Sequence, residues 1–379
     1  MDFELTRDQK MIRDVVRDFA QTEIVPKAAE IDKTGHFPMD IVKKMAELDI
    51  MGLPFPEQYG GAAGDYTSYC LAVEEIARAC GSTALTYEAH ISLGCMPLYL
   101  FGSEEQKKTY LSPLCQGETI GAFGLTEPNA GSDAGGTQTT AVLENGQWVI
   151  NGSKCFITNA SYARFVTITA VTDKGKGTRG ISAILVPTDT PGFTVRAAYE
   201  KMGLHGSNTT ELFFDDVRVP EENLVGKRGE GFKHFLQVLD GGRIAIGALA
   251  VGLAQASLDA SLRYAQERFQ FGKPIGSFQA IRFKLADMAM HVELARNMYL
   301  KAAWLKDNDR PYSLEAAYAK LFASEMATMA ALEAIQIHGG YGYMKEFPVE
   351  RIMRDAKLME IGEGTSEVMR LVISKKLGL

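Results

Sequence analysis

Near its C-terminal end the chain places Glu363 between two glycines, in IGEGTSEVMR (361–370). Gly362 and Gly364 leave the backbone free to turn that carboxylate into a cavity. Thr365 and Ser366, just after it, read as a helix N-cap. The start of that helix would favour the ionised carboxylate, whereas burial against an apolar ligand would raise its pKa. The pattern suits a carboxylate aimed for chemistry, and it also suits an exposed acid in a loop.

Four other segments combine residue types that bind polar ligands. FGLTEPNAGSD (123–133) holds Thr126, Ser132, Glu127 and Gly131. Such a loop can offer hydroxyls and backbone N–H groups to a ligand, or serve as a plain interdomain turn. In SKCFITNAS (153–161), Phe156 and Thr158 are two apart and share a strand face, one able to stack on a ring and the other to hydrogen-bond its edge. An ordinary amphipathic strand has the same spacing. LDGGR (239–243) is expected to open a long helix, with Asp240 as its cap and Arg243 reaching a phosphate or simply solvated. ERFQFGKPIGSFQAI (267–281) sets Arg268, Gln270, Lys273 and Gln279 around Phe269 and Phe271, as a pyrophosphate or adenine site or as a helix–loop–helix junction.

Other chemistries are missing their signatures. No GxGxxG opens a helix after a strand, and there is no GxxxxGK[ST], HExxH or GxSxG. The six histidines lack metal-ligand spacing, so no metal is expected. The five cysteines, Cys70, Cys80, Cys95, Cys115 and Cys155, include no CxxC pair and read as reduced thiols of a cytoplasmic protein. Residues 1–24 carry charges throughout, without a signal-peptide core, and no membrane insertion is expected. A net charge of -7 argues against nucleic-acid binding.

The elements that must position these residues follow from periodicity. At 379 residues the chain exceeds what one core usually serves. Helical spacing runs from Thr6 to about Gln116, with Met11, Ile12, Val15, Val16 and Phe19 on one face. From about Ile120 to Val225 short runs rich in Val, Ile, Thr and Phe follow one another with no helices between them, which predicts an antiparallel sheet or barrel. GQWVINGSK predicts two strands joined by a turn at Asn151–Gly152. Helical spacing returns over roughly 240–267, 278–307, 312–338 and 364–378. The expected domains are therefore an N-terminal helical domain (1–119), a middle β-domain (120–230) and a C-terminal helical bundle (231–379).

Taken in order, FGSEEQKKTYLSPL, LTEPNAGSD, SKCFITNAS, HGSNTTELFFDDVRVPEENL, LDGGR, ERFQFGKPI, QIHGGYGY and RDAKLMEIGEGTSEVMR resemble the acyl-CoA dehydrogenase family over essentially the whole chain. The resemblance implies an FAD enzyme with a C-terminal four-helix bundle, assembled as a homotetramer. It implies flavin contacts at Phe123, Leu125, Thr126, Gly131, Ser132, Phe156 and Thr158. Arg268, Phe271, Gln279, Gln336, Gly339 and Gly340 would hold the adenosine-diphosphate half across a subunit interface, and Thr365 and Glu367 would also touch FAD. Ser132, Asp240, Arg243 and Gly364 match positions that hold acyl-CoA. Glu363 would take the α-proton, the β-hydrogen would go to flavin N5, and a trans-2-enoyl-CoA would form, with electrons passing to an electron-transfer flavoprotein.

Three residues depart from common family patterns. Branches with the base on the helix after LDGGR carry a glutamate near Gly242, so Gly242 leaves that task to Glu363. Gly362 stands where many short- and medium-chain members have Tyr, which would admit a wider or branched acyl group. Phe156 replaces the more usual Trp beside the flavin. Two competing readings are an O₂-reactive oxidase of the same fold and a non-catalytic flavin- or nucleic-acid-binding relative.

Overall fold

A computed structural model describes residues 4–379. The amphipathic N-terminal run forms α1 (Arg7–Phe19), opened by a reciprocal capping box in which the Thr6 hydroxyl accepts from the Gln9 N–H. One π-turn later it continues as α2 (Val25–Thr34), and α3 (Met39–Glu47) follows. The pair α4 (Tyr66–Ala79) and α5 (Gly81–Ala89) is buried on nearly every face. A helix apolar all round belongs inside a fold. Here its neighbours are the C-terminal helices as well as the N-terminal ones. The short α6 (Met96–Phe101), α7 (Glu104–Gln106) and α8 (Ser112–Cys115) lead into the strands.

The middle segment is one eight-stranded sheet. Its strands are β1 (Phe123–Gly124), β2 (Thr140–Glu144), β3 (Gln147–Thr158), β4 (Phe165–Val171), β5 (Ile181–Pro187), β6 (Phe193–Val195), β7 (Thr209–Pro220) and β8 (Leu224–Val225). The order is β6-β7-β3-β2-β4-β5-β8, with β1 beside β4. Pairing is antiparallel except where β4 runs parallel to β1 and, at one residue pair, to β2. The turn expected at Asn151–Gly152 lies elsewhere. β3 runs straight through those residues, and the chain reverses at Asn145–Gly146, both with positive φ (51° and 75°). At Gly152 the register with β7 shifts and φ is 146°, and a Cβ there would meet the Thr139 backbone at 2.7 Å. That Asn-Gly marks a bulge with close backbone approach, not a hairpin.

The C-terminal part holds α9 (Gly231–Glu267), α10 (Gln279–Asp307), α11 (Ser313–His338), α12 (Val349–Lys357) and α13 (Ser366–Lys376). Helix α9 starts about nine residues before the expected point, so LDGGR lies inside it. Asp240 is no cap and pairs with Arg243 one turn on, at 2.5 Å. Two adjacent glycines weaken a helix, yet it persists because neighbours pack onto the bare backbone there. A Cβ at Gly241 would lie 3.3 Å from the Tyr66 hydroxyl, and one at Gly242 only 2.2 Å from Glu363 Oε2. Among the described residues α9 alone is long and apolar enough to cross a membrane, and 78% of its most apolar window is buried within the fold. Between α9 and α10, Phe269–Gln270 and Lys273–Pro274 form a small hairpin, β9 and β10, turned by Phe271 and Gly272 with φ of 51° and 79°.

Polar ties lock the parts together. The Asp307 carboxylate at the end of α10 accepts from the N–H groups of Tyr66 (2.6 Å) and Thr67 (3.0 Å), capping α4 from another helix. Arg296 of α10 pairs with buried Glu74 of α4 at 2.7 Å. Arg354 of α12 forks onto Asp32 of α2 at 2.9 and 2.7 Å.

Candidate active site

Glu363 itself adopts the left-handed conformation, with φ of 54°, and Gly364 follows at 103°. Gly362 stays in the ordinary region. A glutamate with positive φ is strained and persists only where its surroundings impose it. Two contacts do so. Lys320 of α11, itself buried, donates from Nζ to the Gly364 carbonyl at 2.6 Å. The Thr365 hydroxyl accepts from the Val368 N–H at 3.3 Å and starts α13 as expected. The carboxylate is thereby driven inward beneath Gly242, where only a glycine leaves room.

It faces a cavity of about 660 Å³ between the helices and the sheet. Leu85, Ala89, Leu93, Leu239, Ile246 and Met359 make the wall largely apolar. Burial in that wall pushes Glu363 up to about 7. A hydrogen bond from Glu88 and the charges of Arg243 and Lys320 pull it the other way. Glu363 Oε2 and Arg243 Nε are buried without a protein partner, among the described residues. Unsatisfied polar atoms in an apolar pocket mark where a ligand's polar atoms belong.

The structure gathers most of the expected residues around this one space. Phe123, Leu125, Thr126, Gly131, Ser132, Phe156, Thr158, Arg243, Glu363, Gly364 and Thr365 all line it. Asp240 does not, and acts on the site through Arg243 Nη1. Glu367 sits in the first turn of α13 outside the lining. Phe156 leaves the regular strand geometry: φ is 59°, at a second register shift in β3. Its ring is 65% exposed, open to a planar partner, with the Tyr199 ring 5.3 Å away.

The loop carrying Leu125 and Thr126 is pinned from beneath by a buried ion pair. Lys154 Nζ donates to Glu127 Oε1 (2.7 Å) and the Leu125 carbonyl (3.1 Å), and Glu127 also accepts from the N–H groups of Gln138 (2.6 Å) and Thr139 (3.0 Å). Burial brings Lys154 down to about 8. Breaking such a pair by removing one partner costs about 3–5 kcal/mol, because the other charge stays buried.

Arg268, Gly339 and Gly340 border a separate cavity of about 550 Å³ with Tyr264, His338 and Tyr341. Gly339 has φ of 58°, and neither glycine has any atom within 4 Å of the place a Cβ would take. Bare backbone beside a guanidinium is a cradle suited to a diphosphate. Phe271, Gln279 and Gln336 line neither cavity, and Phe271 is 92% exposed. The aromatic, hydroxyl-lined first cavity suits a flavin ring, and the cationic, glycine-lined second one suits a diphosphate. Sequence reading missed Glu88 and Lys320. Each had a signal: a charged residue inside an otherwise apolar helical run, STALTYEAHI and AAYAKLFA.

Known proteins are similar to this chain in sequence and fold. A probable acyl-CoA dehydrogenase of Bacillus subtilis (strain 168) is 66% identical over the full length of both chains. The short-chain-specific acyl-CoA dehydrogenase of Clostridium acetobutylicum is 51% identical, again covering 100% of each. The butyryl-CoA dehydrogenase of Megasphaera elsdenii superposes with a TM-score of 0.98 at 46% identity and full coverage of both chains. A chain from work on the electron-transferring flavoprotein of Acidaminococcus fermentans superposes equally well, at 48% identity, covering 100% of this chain and 99% of the other. With the acyl-CoA dehydrogenase N-terminal, middle and C-terminal domain models matching residues 6–118, 122–217 and 229–378, the chain belongs to the acyl-CoA dehydrogenase family of FAD-dependent oxidoreductases acting on CH–CH bonds.

Proposed function

We propose that the chain oxidises a short-chain acyl-CoA to the trans-2-enoyl-CoA, with Glu363 as the base that removes the α-proton. The observation that carries this reading is a buried carboxylate, held in a strained turn, facing an apolar cavity with one oxygen unpartnered. An α-proton beside a thioester is weakly acidic, so its base must be dry and fixed in place. Burial raises the basicity of Glu363, while Arg243 and Lys320 keep it ionisable near neutrality. The Glu363 backbone N–H, at the mouth of α13, would donate to the thioester oxygen as charge develops there.

When bound, FAD supplies the acceptor for the β-hydrogen, which leaves as hydride with two electrons. Phe156 and Thr158 would hold its ring, and Arg268 with Gly339 and Gly340 its diphosphate, from a neighbouring subunit. A homotetramer is supported by apolar side chains left exposed on α10 and α11, among them Phe283, Met290, Leu294, Met329 and Leu332. Electrons would pass to an electron-transfer flavoprotein, as the match with the Acidaminococcus fermentans structure suggests. Short chains are favoured by the match with the Megasphaera elsdenii butyryl-CoA dehydrogenase. Gly362 lines the cavity with no atom nearer than 3.6 Å to its absent Cβ, room that also suits a branched acyl group.

A second reading has a specific basis. The acryloyl-CoA reductase (NADH) of Anaerotignum propionicum is 46% identical over 100% of this chain and 96% of its own, so the same site could run toward the saturated thioester. A steady-state series over straight and branched acyl-CoAs, with an artificial acceptor and with O₂, tests the proposal, and NADH-driven reduction of acryloyl-CoA tests the alternative. Glu363→Gln should keep FAD and lose turnover by several orders of magnitude. Near-normal turnover in that variant refutes the assignment of the base.

A further inference from the structure

The cavity holds a second carboxyl that the reaction as described does not use. Glu88 lies on α5, is 0% exposed, and lines the same space as Glu363. Its Oε1 accepts from the Ser92 hydroxyl at 2.5 Å. Its Oε2, like Glu363 Oε2, has no protein donor among the described residues. The two buried carboxyls thus share one dry space, each with an oxygen free, and a hydrogen bond between them forms only when one carries a proton.

We infer that Glu88 is a positioning residue for the base: it holds a proton, donates it to the ionised Glu363, and so sets the pH at which the base becomes available. This rests on Glu363 being the base. Two carboxylates in one dry site cannot both ionise cheaply, so one proton is shared between them.

The surroundings decide which carboxyl keeps the proton. The cations facing the pair are Arg243 from α9 and Lys320 from α11, and both act on Glu363. Neither bonds to Glu88: Arg243 is taken by Asp240 and Lys320 by the Gly364 carbonyl. On the Glu88 side stand Ser92 and, from α4, Tyr66, Tyr69 and Cys70, whose own ionisation burial drives upward, so they stay neutral. Burial, then the charge of Glu363, push Glu88 well above the carboxylate range. In the resting pair Glu88 is protonated and Glu363 ionised. Taking the α-proton turns the pair into two neutral acids, and its one negative charge passes to the substrate. No second buried charge forms at any point.

The test is the pH dependence of kcat/KM for butyryl-CoA in the FAD-loaded enzyme, for wild type, E88Q, E88L and E363Q. The amide of E88Q still donates, so its acidic limb should stay in place. E88L keeps the site dry but removes the donor. Its acidic limb should move up by about one unit, lowering kcat/KM about tenfold below the limb and much less on the plateau. A Glu88 that merely fills space would lower the rate evenly at all pH values. As a second readout, infrared spectra at pH 8 should contain the carbonyl band of a protonated carboxyl that is lost in E88Q. An E88L limb identical to wild type, or the absence of that band, overturns the inference. If E88L does not fold, the infrared comparison decides alone. Full turnover in E363Q would instead sink the base assignment, and the E88Q-sensitive band would still report whether Glu88 holds a proton.

Discussion

Gly242→Ala should separate stability from catalysis at this site. Gly242 lies in the interior of α9, and the new methyl would fall 2.2 Å from Glu363 Oε2. Ordinary contact begins near 3.4 Å, so the carboxylate must retreat by about 1 Å. A misplacement of about 1 Å costs roughly 10²-fold in rate when near-attack geometry is at stake, or about 2.7 kcal/mol of barrier. The fold loses little, because the displaced atom is the end of a flexible side chain. Alanine in place of glycine also favours a helix interior by about 0.8–1 kcal/mol. The variant should therefore melt no lower than wild type while flavin reduction by butyryl-CoA, followed by anaerobic stopped flow, slows about 100-fold. Wild-type reduction rates in a well-folded G242A protein would refute the placement of Glu363 beneath α9. A large drop in melting temperature would refute the claim that the carboxylate can yield.

Arg268→Ala should weaken FAD retention roughly tenfold or more, the value of one or two hydrogen bonds to a charged group; a variant that purifies fully loaded and survives dilution would remove Arg268 from the diphosphate site. Acid stability should depend on His90. Its ring is buried, with Nδ1 accepting from the Gly121 N–H (2.9 Å) and Nε2 against the Met51 carbonyl (3.1 Å), and burial brings it from 6.5 to about 4. The folded value lies below the unfolded one, so the unfolded chain takes the proton first. Stability from this group is full above about pH 6.5 and falls until about pH 4, by roughly 3 kcal/mol for the 2.5-unit difference. Urea unfolding at pH 7 and pH 5 should show a smaller loss in His90→Gln than in wild type, and equal losses would refute it.

Local sequence determined a good deal about this protein. Period and composition mark the helical, strand-rich and helical stretches, because side-chain spacing reports which face each element buries. Thr365 could be recognised as a cap because capping needs only a hydroxyl three residues before an N–H. Phe156 and Thr158 could be paired because they stand two positions apart in one strand. Tertiary structure decided what local chemistry leaves open. Asn151–Gly152 and Gly241–Gly242 look like breaks in isolation, yet Thr139 and Glu363 pack against their bare backbone and the strand and helix run on. Glu88 and Glu363 are 275 positions apart, so no spacing rule connects them; only the packing of α5 against the turn before α13 makes them neighbours. A carboxylate's basicity depends on which groups replace water around it, and that shell is assembled from α5, α9, α11 and the 361–365 turn only when the chain has folded.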